Sequence, residues 1–343
     1  MATRHALHRI PKHILAVAPT CNRTTTRAVA TGSCGSNDGA VSRYGNLRTL
    51  AVTEPATAVV QARKSRTVEI NRPDKANAMS SSFFKELRGC VDSLAADPAC
   101  RAIVLCGSGK VFSSGLDLEE HAPKFQEMTS PPRAGDLTSD PARKSHEIAR
   151  FVAGMQDSLA SLDRCPKPII SAVHSACVGG GVDLVCASDI RLASSDAWFS
   201  IKEASFSSGS MGEFVDMGLC ADLGTLQRLP KLIGSESLAR ELVFTARKFP
   251  AEEALRAGFL SSVLEDKQTL LRRAVDLGSQ IASRSPVAIH GSKVNLNYGR
   301  DHTISQALQY QALWSSVMLQ TGDIPAAMVS AQRRQPPPPF PPL

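Results

Sequence analysis

Apolar positions along this chain fall into two kinds of run, and their alternation predicts the architecture. Short β-branched or continuous apolar runs read as strands at Thr57–Gln61, Thr67–Ile70, Arg101–Cys106, Pro168–Val173, Asp189–Ala193 and Ala197–Lys202. Between them, apolar residues recur at helical spacing. Phe83, Phe84, Leu87, Val91 and Leu94 follow possible caps at Ser80–Ser82, and a second amphipathic helix is expected over about Glu147–Leu162. Strand then helix, repeated, predicts an α/β protein with parallel strands, crossover helices and both sheet faces covered. Glu119 to about Ser145 is broken by Pro123, Pro131, Pro132, Gly135 and Pro141 and reads as a long mobile loop. From about Ser235 to Ser330 the pattern is mostly helical. Gln335–Leu343 is a proline-rich tail that need not fold.

One stretch stands out, Cys177-Val178-Gly179-Gly180-Gly181-Val182-Asp183, between the strand ending at Val173 and a buried helix starting near Leu184. Glycines at a strand-to-helix junction let backbone approach a ligand closely. The N–H groups of a helix start then face that ligand, in a field that favours negative charge. A carboxylate beside such donors is equipment for moving a proton while an enolate is stabilised. The plainer alternative is a glycine turn whose Asp183 merely complements the helix dipole.

Charge changes the picture less than it first suggests. The net charge is +7, but Arg4, Arg9, Lys12, Arg23, Arg27, Arg43 and Arg48 against Asp38 place nearly all of it before residue 54. The remainder is close to neutral, which argues against a nucleic-acid surface. Residues 1–50, rich in Arg, Ser, Thr and Ala and lacking a long apolar segment, have the composition of an organellar targeting sequence, mitochondrial ahead of plastid. The last residues are Pro-Pro-Leu, not the Ser-Lys-Leu of the usual peroxisomal address. Nine cysteines without a C-x-x-C pair read as free thiols, and neither they nor the histidines show metal-ligand spacing. No apolar run approaches the roughly 20 residues of a membrane span.

Asn71-Arg72-Pro73 with Asn77-Ala78-Met79, Ser114–Leu118, the Gly179–Gly181 triplet, and Thr245–Lys248 with Glu253-Ala254 together resemble the enoyl-CoA hydratase/isomerase (crotonase) superfamily over roughly residues 55–330. Within it the chain is most similar to the 3,5-2,4-dienoyl-CoA isomerases. Gly179–Leu184 with Asp in place of Glu, Lys202-Glu203, Ala221–Pro230, and Gly291–Leu296 with Arg300-Asp301-His302 carry that likeness. The resemblance implies a crotonase-like spiral of ββα units over residues 51–265, a helical C-terminal trimerisation region over 266–331 and a Pro-rich tail over 332–343. It implies conversion of 3,5-dienoyl-CoA to 2,4-dienoyl-CoA in fatty-acid β-oxidation, with no cofactor beyond the coenzyme A of the substrate. Partners would be the acyl-CoA thioester and further copies of the chain, as a homotrimer or hexamer, with no nucleic acid and no membrane span. The expected compartment is the mitochondrion, with peroxisome or plastid as alternatives.

The site residues follow from the same resemblance. The backbone N–H groups of Leu116 and Gly180 would form the oxyanion hole. Asp183, Glu203 and Asp222 would be the catalytic carboxylates, Glu203 and Asp222 exchanging protons with the two ends of the diene. Lys75, Ala76, Ala78, Ser114, Gly115, Leu116, Asp117, Leu118 and Gly180 would contact the CoA ester. Read singly, Asp222 could be a helix N-cap, Glu203 a solvated loop acid and Lys75 a surface lysine. His174 reads as a buried structural histidine. Two departures from the family stand out. The spacing from Glu203 to Asp222 is lengthened, the excess falling in Ala204–Phe214, and Ser175 replaces a usual Gly, where it is expected to tighten the turn. A hydratase or simple enoyl-CoA isomerase is the nearest alternative, disfavoured by Asp183. A non-catalytic scaffold or RNA-binding protein is the further one.

Overall fold

The computed structural model describes residue 44 and residues 47–53, 65–131, 140–202 and 219–343. Glu203, the Ala204–Phe214 stretch, the strand expected over Thr57–Gln61 and the targeting segment up to residue 43 lie outside the described residues.

The main sheet has six strands. In spatial order they are β1 (Leu50–Thr53), β2 (Ser65–Ile70), β3 (Ala102–Gly107), β4 (Ile169–Val173), β6 (Ile190–Ser194) and β9 (Ser262–Leu264). All neighbours are parallel except β1, which runs antiparallel along the edge. A second ladder joins β5 (Ala176–Val178), β7 (Trp198–Ser200) and β8 (Phe249–Pro250). It is extended by single bridges, Ser113 to Cys177 and Met79 to Leu116. Each repeat therefore supplies a long strand, a short extended contact to the second ladder, and then a helix. The pattern is β2, Met79, α1 (Ser81–Ala96); β3, Ser113, α2 (Leu118–Thr129); and β4, β5, α4 (Gly180–Cys186). This is the expected spiral of ββα units.

Both faces of the sheet are covered, as the continuous apolar strands require. Ile103, Leu105, Ile169 and Val173 face the main core with α1 and α3 (Pro141–Arg164). Val104, Cys106, Ile170 and Ala172 alternate to the other side, beneath Leu270 and Ala274 of α8 (Lys267–Ala282). Caps sit where the sequence offers them. Ser80 accepts from the N–H of Phe83, and Asp140 accepts from Ala142 and Arg143 just ahead of Pro141. Buried lysines close other ends. Lys293 Nζ donates to the carbonyls of Leu162 and Lys167 and to Asp189 Oδ2 at 2.9, 3.1 and 2.7 Å, placing a cation at the C-terminus of α3.

Three expectations change. The span read as a long loop contains helix α2, and α3 begins at Pro141, earlier than the periodicity indicated. Asp117 caps α2 with Glu119 and Glu120 in its first turn, so a helix start prevails over Pro123. The proline-rich tail docks: Phe340 is buried and its carbonyl accepts from the buried guanidinium of Arg101. Packing also reaches back before residue 50, where Thr49 N and Oγ1 both donate to Glu86 Oε2 and Tyr44 donates to Asp97.

Helices α6 (Glu236–Thr245) and α7 (Ala251–Arg256) flank β8, and the last helices, α9 (Pro286–Asp301), α10 (Ile304–Met318) and α11 (Asp323–Gln332), leave Leu296, Ile304, Leu308, Leu313, Val317 and Met328 exposed.

Ser175 has a φ of 52°, a left-handed backbone that a side chain resists. That conformation costs a residue with a Cβ about 1–2 kcal/mol, of which glycine would give back about 0.5–1 kcal/mol in unfolded-chain entropy. Ser175→Gly is therefore expected to stabilise the protein by about 0.5–1 kcal/mol, read as a higher urea midpoint. A lower midpoint would show that the serine side chain compensates for its own strain.

Candidate active site

Two loops form the floor of the site, and one side chain locks them together. Ala76 and Asn77 both turn through positive φ after the short 3-10 turn Pro73–Lys75. Asn77 is fully buried; its Nδ2 donates to the carbonyls of Ser108, Val111 and Phe112, and its Oδ1 accepts from Arg72 N. From the facing loop, Ser113 Oγ donates to Asn77 O and Ser114 N donates to Ala76 O. Met79 N donates to Gly115 O at 2.7 Å and Asp117 N to Met79 O at 3.0 Å, which fixes the peptide carrying the Leu116 amide.

The start of α4 lies against this floor. A Cβ placed on Gly180 would stand 3.8 Å from Leu116 N, in van der Waals contact, and 3.2 Å from Met79 Sδ, which would have to give way, so the two backbone segments lie side by side. The amides of Leu116 and Gly180 are thus neighbours contributed by separate repeats. A pair of backbone donors so placed can bind an oxygen on which negative charge develops.

Asp183 sits one turn into α4 and is 1% exposed. Its Oδ1 accepts from both the backbone N and the Oγ1 of Thr225, at 2.6 and 2.7 Å. Burial pushes its carboxyl up to about 6. Thr225 opposes the rise, the charge of Asp222 adds to it, and Arg228 pulls it back. Asp183 therefore does more than complement a dipole. Asp222 is also not an N-cap, because α5 (Thr225–Ile233) starts later and is capped by Gly224 without a side-chain bond. Asp222 as a residue is exposed, but partial burial of its carboxyl raises the pKa, and its backbone carbonyl accepts from Gln156 Nε2 at 2.6 Å.

The other candidates separate into floor and rim. Ser114, Gly115 and Ala78 are buried in the locked loops, and Leu118 begins α2. Asp117 is engaged throughout: its side chain caps Glu120 N and accepts from Arg72 Nη1 at 2.9 Å, its N–H donates to Met79 O and its carbonyl accepts from His121 N. Lys75 is exposed at the rim and pairs with Glu119 at 2.8 Å. His174 is buried, with Nε2 at 3.2 Å from Gly109 O and no partner for Nδ1 among the described residues. Burial lowers its pKa to about 4, which keeps it neutral and suits a structural role.

The signature Arg247 is likewise structural, forked onto Glu253 at 2.9 and 2.7 Å. Six of the seven described cysteines are buried, the exception being Cys220. Among the described residues no cluster of His, Cys, Asp and Glu is arranged to hold a metal. No described helix is long and apolar enough to cross a membrane.

Thr225 is the residue that sequence reasoning passed over. A hydroxyl residue at the first position of a helix, directly after a glycine, was its only local signal.

The fold and this constellation define a class, and comparison agrees. The Enoyl-CoA hydratase/isomerase family profile matches residues 65–139 and 133–337, and the chain belongs to that family. Among individual relatives, it is 46% identical over 268 residues to the mitochondrial Delta(3,5)-Delta(2,4)-dienoyl-CoA isomerase of Mus musculus, covering 78% of this chain and 76% of that one. It is 40% identical to the peroxisomal enzyme of the same name from Arabidopsis thaliana, covering 77% and 87%. A crystal structure of a putative enoyl-CoA hydratase from Streptomyces coelicolor superposes with a TM-score of 0.69 at 25% identity, covering 90% and 97%.

The raised Asp183 pKa has a stability consequence. The folded state holds this proton more tightly than the unfolded chain, so the carboxyl's contribution falls as pH rises from 3.8 and is fully lost above about 6. Asp183→Asn keeps an Oδ1 acceptor for Thr225 and removes the buried charge. It is expected to stabilise the protein at pH 7.5 by about 2–3 kcal/mol, a gain roughly halved at pH 5. His174 titrates in the opposite sense and is common to both proteins, so it cancels. Equal urea midpoints at pH 7.5 would show that the Asp183 charge is already neutralised.

Proposed function

We propose that the protein converts 3,5-dienoyl-CoA to 2,4-dienoyl-CoA. The observation that carries this reading is Asp183, a shorter acid than the hydratase Glu, buried in the first turn of the helix that Gly180 starts and within electrostatic reach of Asp222. The thioester oxygen binds between the amides of Leu116 and Gly180. Loss of a proton from C2 sends its electron pair into the thioester, and the resulting conjugated trienolate is held by those donors. As the double bonds move to C2–C3 and C4–C5, a proton is delivered to C6. Glu203 and Asp222 are the acceptor and donor at the two ends, in an order left open, and Asp183 orients the site or holds a water. Raised carboxyl pKa values suit groups that both take and give protons near neutrality. Ala76, Ala78 and Ser114–Leu118 line the path of the CoA ester through their backbone, and Lys75 stands at its rim.

The basic, acid-poor leader and the mitochondrial relatives support a mitochondrial location for fatty-acid β-oxidation, while the plant relative keeps the peroxisome as the alternative. The exposed apolar side chains of α10 support a homotrimer or hexamer.

Mixing the protein with a 3,5-dienoyl-CoA should raise the ultraviolet absorbance of the 2,4-dienoyl product, with little hydration of a 2-enoyl-CoA control. Asp222→Asn and Glu203→Gln should each lower kcat at least about a hundredfold. Gly180→Ala should do the same by crowding the donor pair. Hydration without isomerisation would move the assignment to a hydratase. The absence of both reactions would leave the scaffold reading.

A further inference from the structure

Arg228 belongs to the segment that follows Asp222, and no step of the reaction above uses it. Its surroundings nevertheless converge on the carboxylates. Gly224 starts α5 at a φ of 126°, a backbone open to glycine alone. The Arg228 guanidinium lies in the space a side chain at 224 would occupy. Asp163 of α3 fixes that guanidinium by accepting from Nε and Nη2 at 3.1 and 2.7 Å on one oxygen. Its other oxygen faces Arg300 of α9 at 3.4 Å. The pair is largely buried, at 15% and 18% side-chain exposure. Gln156, two turns before Asp163 on α3, holds the carbonyl of Asp222. On the inner side of the same short segment, Thr225 gives both its donors to Asp183.

We infer that Arg228 is a positioning residue for the reaction: clamped by Asp163, it braces the Gly224 turn so that Asp222 and Thr225 are presented to Asp183 in fixed register. This rests on the isomerase reading for its kinetic consequence but not for its structural one. A glycine turn has no side chain of its own to limit its motion, so the brace has to come from elsewhere. A guanidinium held by two bonds to one carboxylate supplies both rigidity and a positive charge. That charge favours the ionised form of Asp183. The other titratable groups facing Asp183 are Asp222 from the loop before α5, Cys177 of β5 and Cys186 of α4 itself. Both thiols are pushed far up by burial and stay neutral. Arg228 therefore sets a positive charge against this carboxyl, opposing the effects of burial and of Asp222.

The test uses the full-length chain carrying Arg228→Met, Arg228→Lys or Asp163→Asn, with kcat and KM for a 3,5-dienoyl-CoA followed from pH 5 to 8.5. Urea unfolding is measured alongside. Arg228→Met should lose about tenfold in kcat with KM within about twofold, and the acid limb of kcat should move up by about half a unit or more. Arg228→Lys should restore the limb, through its charge, but not the whole of kcat. If Arg228→Met fails to fold, Asp163→Asn reads the brace instead, with a lowered kcat and unchanged KM. A folded Arg228→Met protein that is less stable yet keeps kcat and the acid limb would overturn the inference and leave an ordinary helix–helix ion pair. An infrared titration of the protonated carboxyl band, assigned by its loss in Asp183→Asn, reads the same upward shift without turnover. If the wild-type protein shows no isomerase activity, that shift in Arg228→Met would still show Arg228 acting on Asp183 and would reject only the proposed reaction.

Discussion

Placing a carboxylate in the interior is costly, and the site depends on how Asp183 meets that cost. The group is removed from water at the start of a short helix, and the protein replaces its solvation with two donors from one residue, Thr225. Those donors belong to a different repeat of the spiral, so the bond also fixes α5 relative to α4. Offset only in part, the carboxyl stays poised between its charged and neutral forms. The same contact therefore sets the protonation state of the site and holds two elements of the fold together.

A second constraint acts on the oxyanion side. The loops around Ala76 and Leu116 meet only through a single bridge from Met79 to Leu116, yet between them they must hold the Leu116 amide in place. Asn77 achieves this by filling its hydrogen-bonding capacity with main-chain groups of both loops. Ser113 completes the cross-link, since its hydroxyl donates to Asn77 O and accepts from Gly115 N. The donor pair is preorganised by polar bonds below it, with Gly180 contributing the absence of a side chain above.

How much of this was legible in the sequence follows from the range of each signal. Strands β2, β3, β4 and β6, helix α1 and the glycine junction at Gly179–Gly181 are local patterns and stand where the periodicity put them, whereas the parallel edge strand β9 lies in a stretch that reads as mostly helical. Helix α2 was hidden because Pro123 reads as a breaker, although a strong start at Asp117, with two acids behind it, outweighs one lost backbone bond. The docked tail was illegible because its anchor, Arg101, lies more than two hundred residues away. Thr225 and Arg228 were missed for the same reason. Their roles arise from Asp183 and Asp163, which the fold alone brings near. Asp183, Asp222, Leu116 and Gly180 are named by motifs; Gly180 lies against Leu116 and the charge of Asp222 reaches Asp183, while Glu203 falls outside the described residues.

The distribution of cysteines turns the molecule into something an experimenter can address. Cys90, Cys100, Cys106, Cys165, Cys177 and Cys186 are enclosed, with thiols held in the neutral form by burial, whereas Cys220 stands open two positions before Asp222. Thiolate chemistry discriminates steeply between such environments. Among the described residues, a fluorophore or spin label added under mild conditions would attach at that single point, beside the segment that carries Asp222. It would report in real time on how that segment responds when an acyl chain arrives.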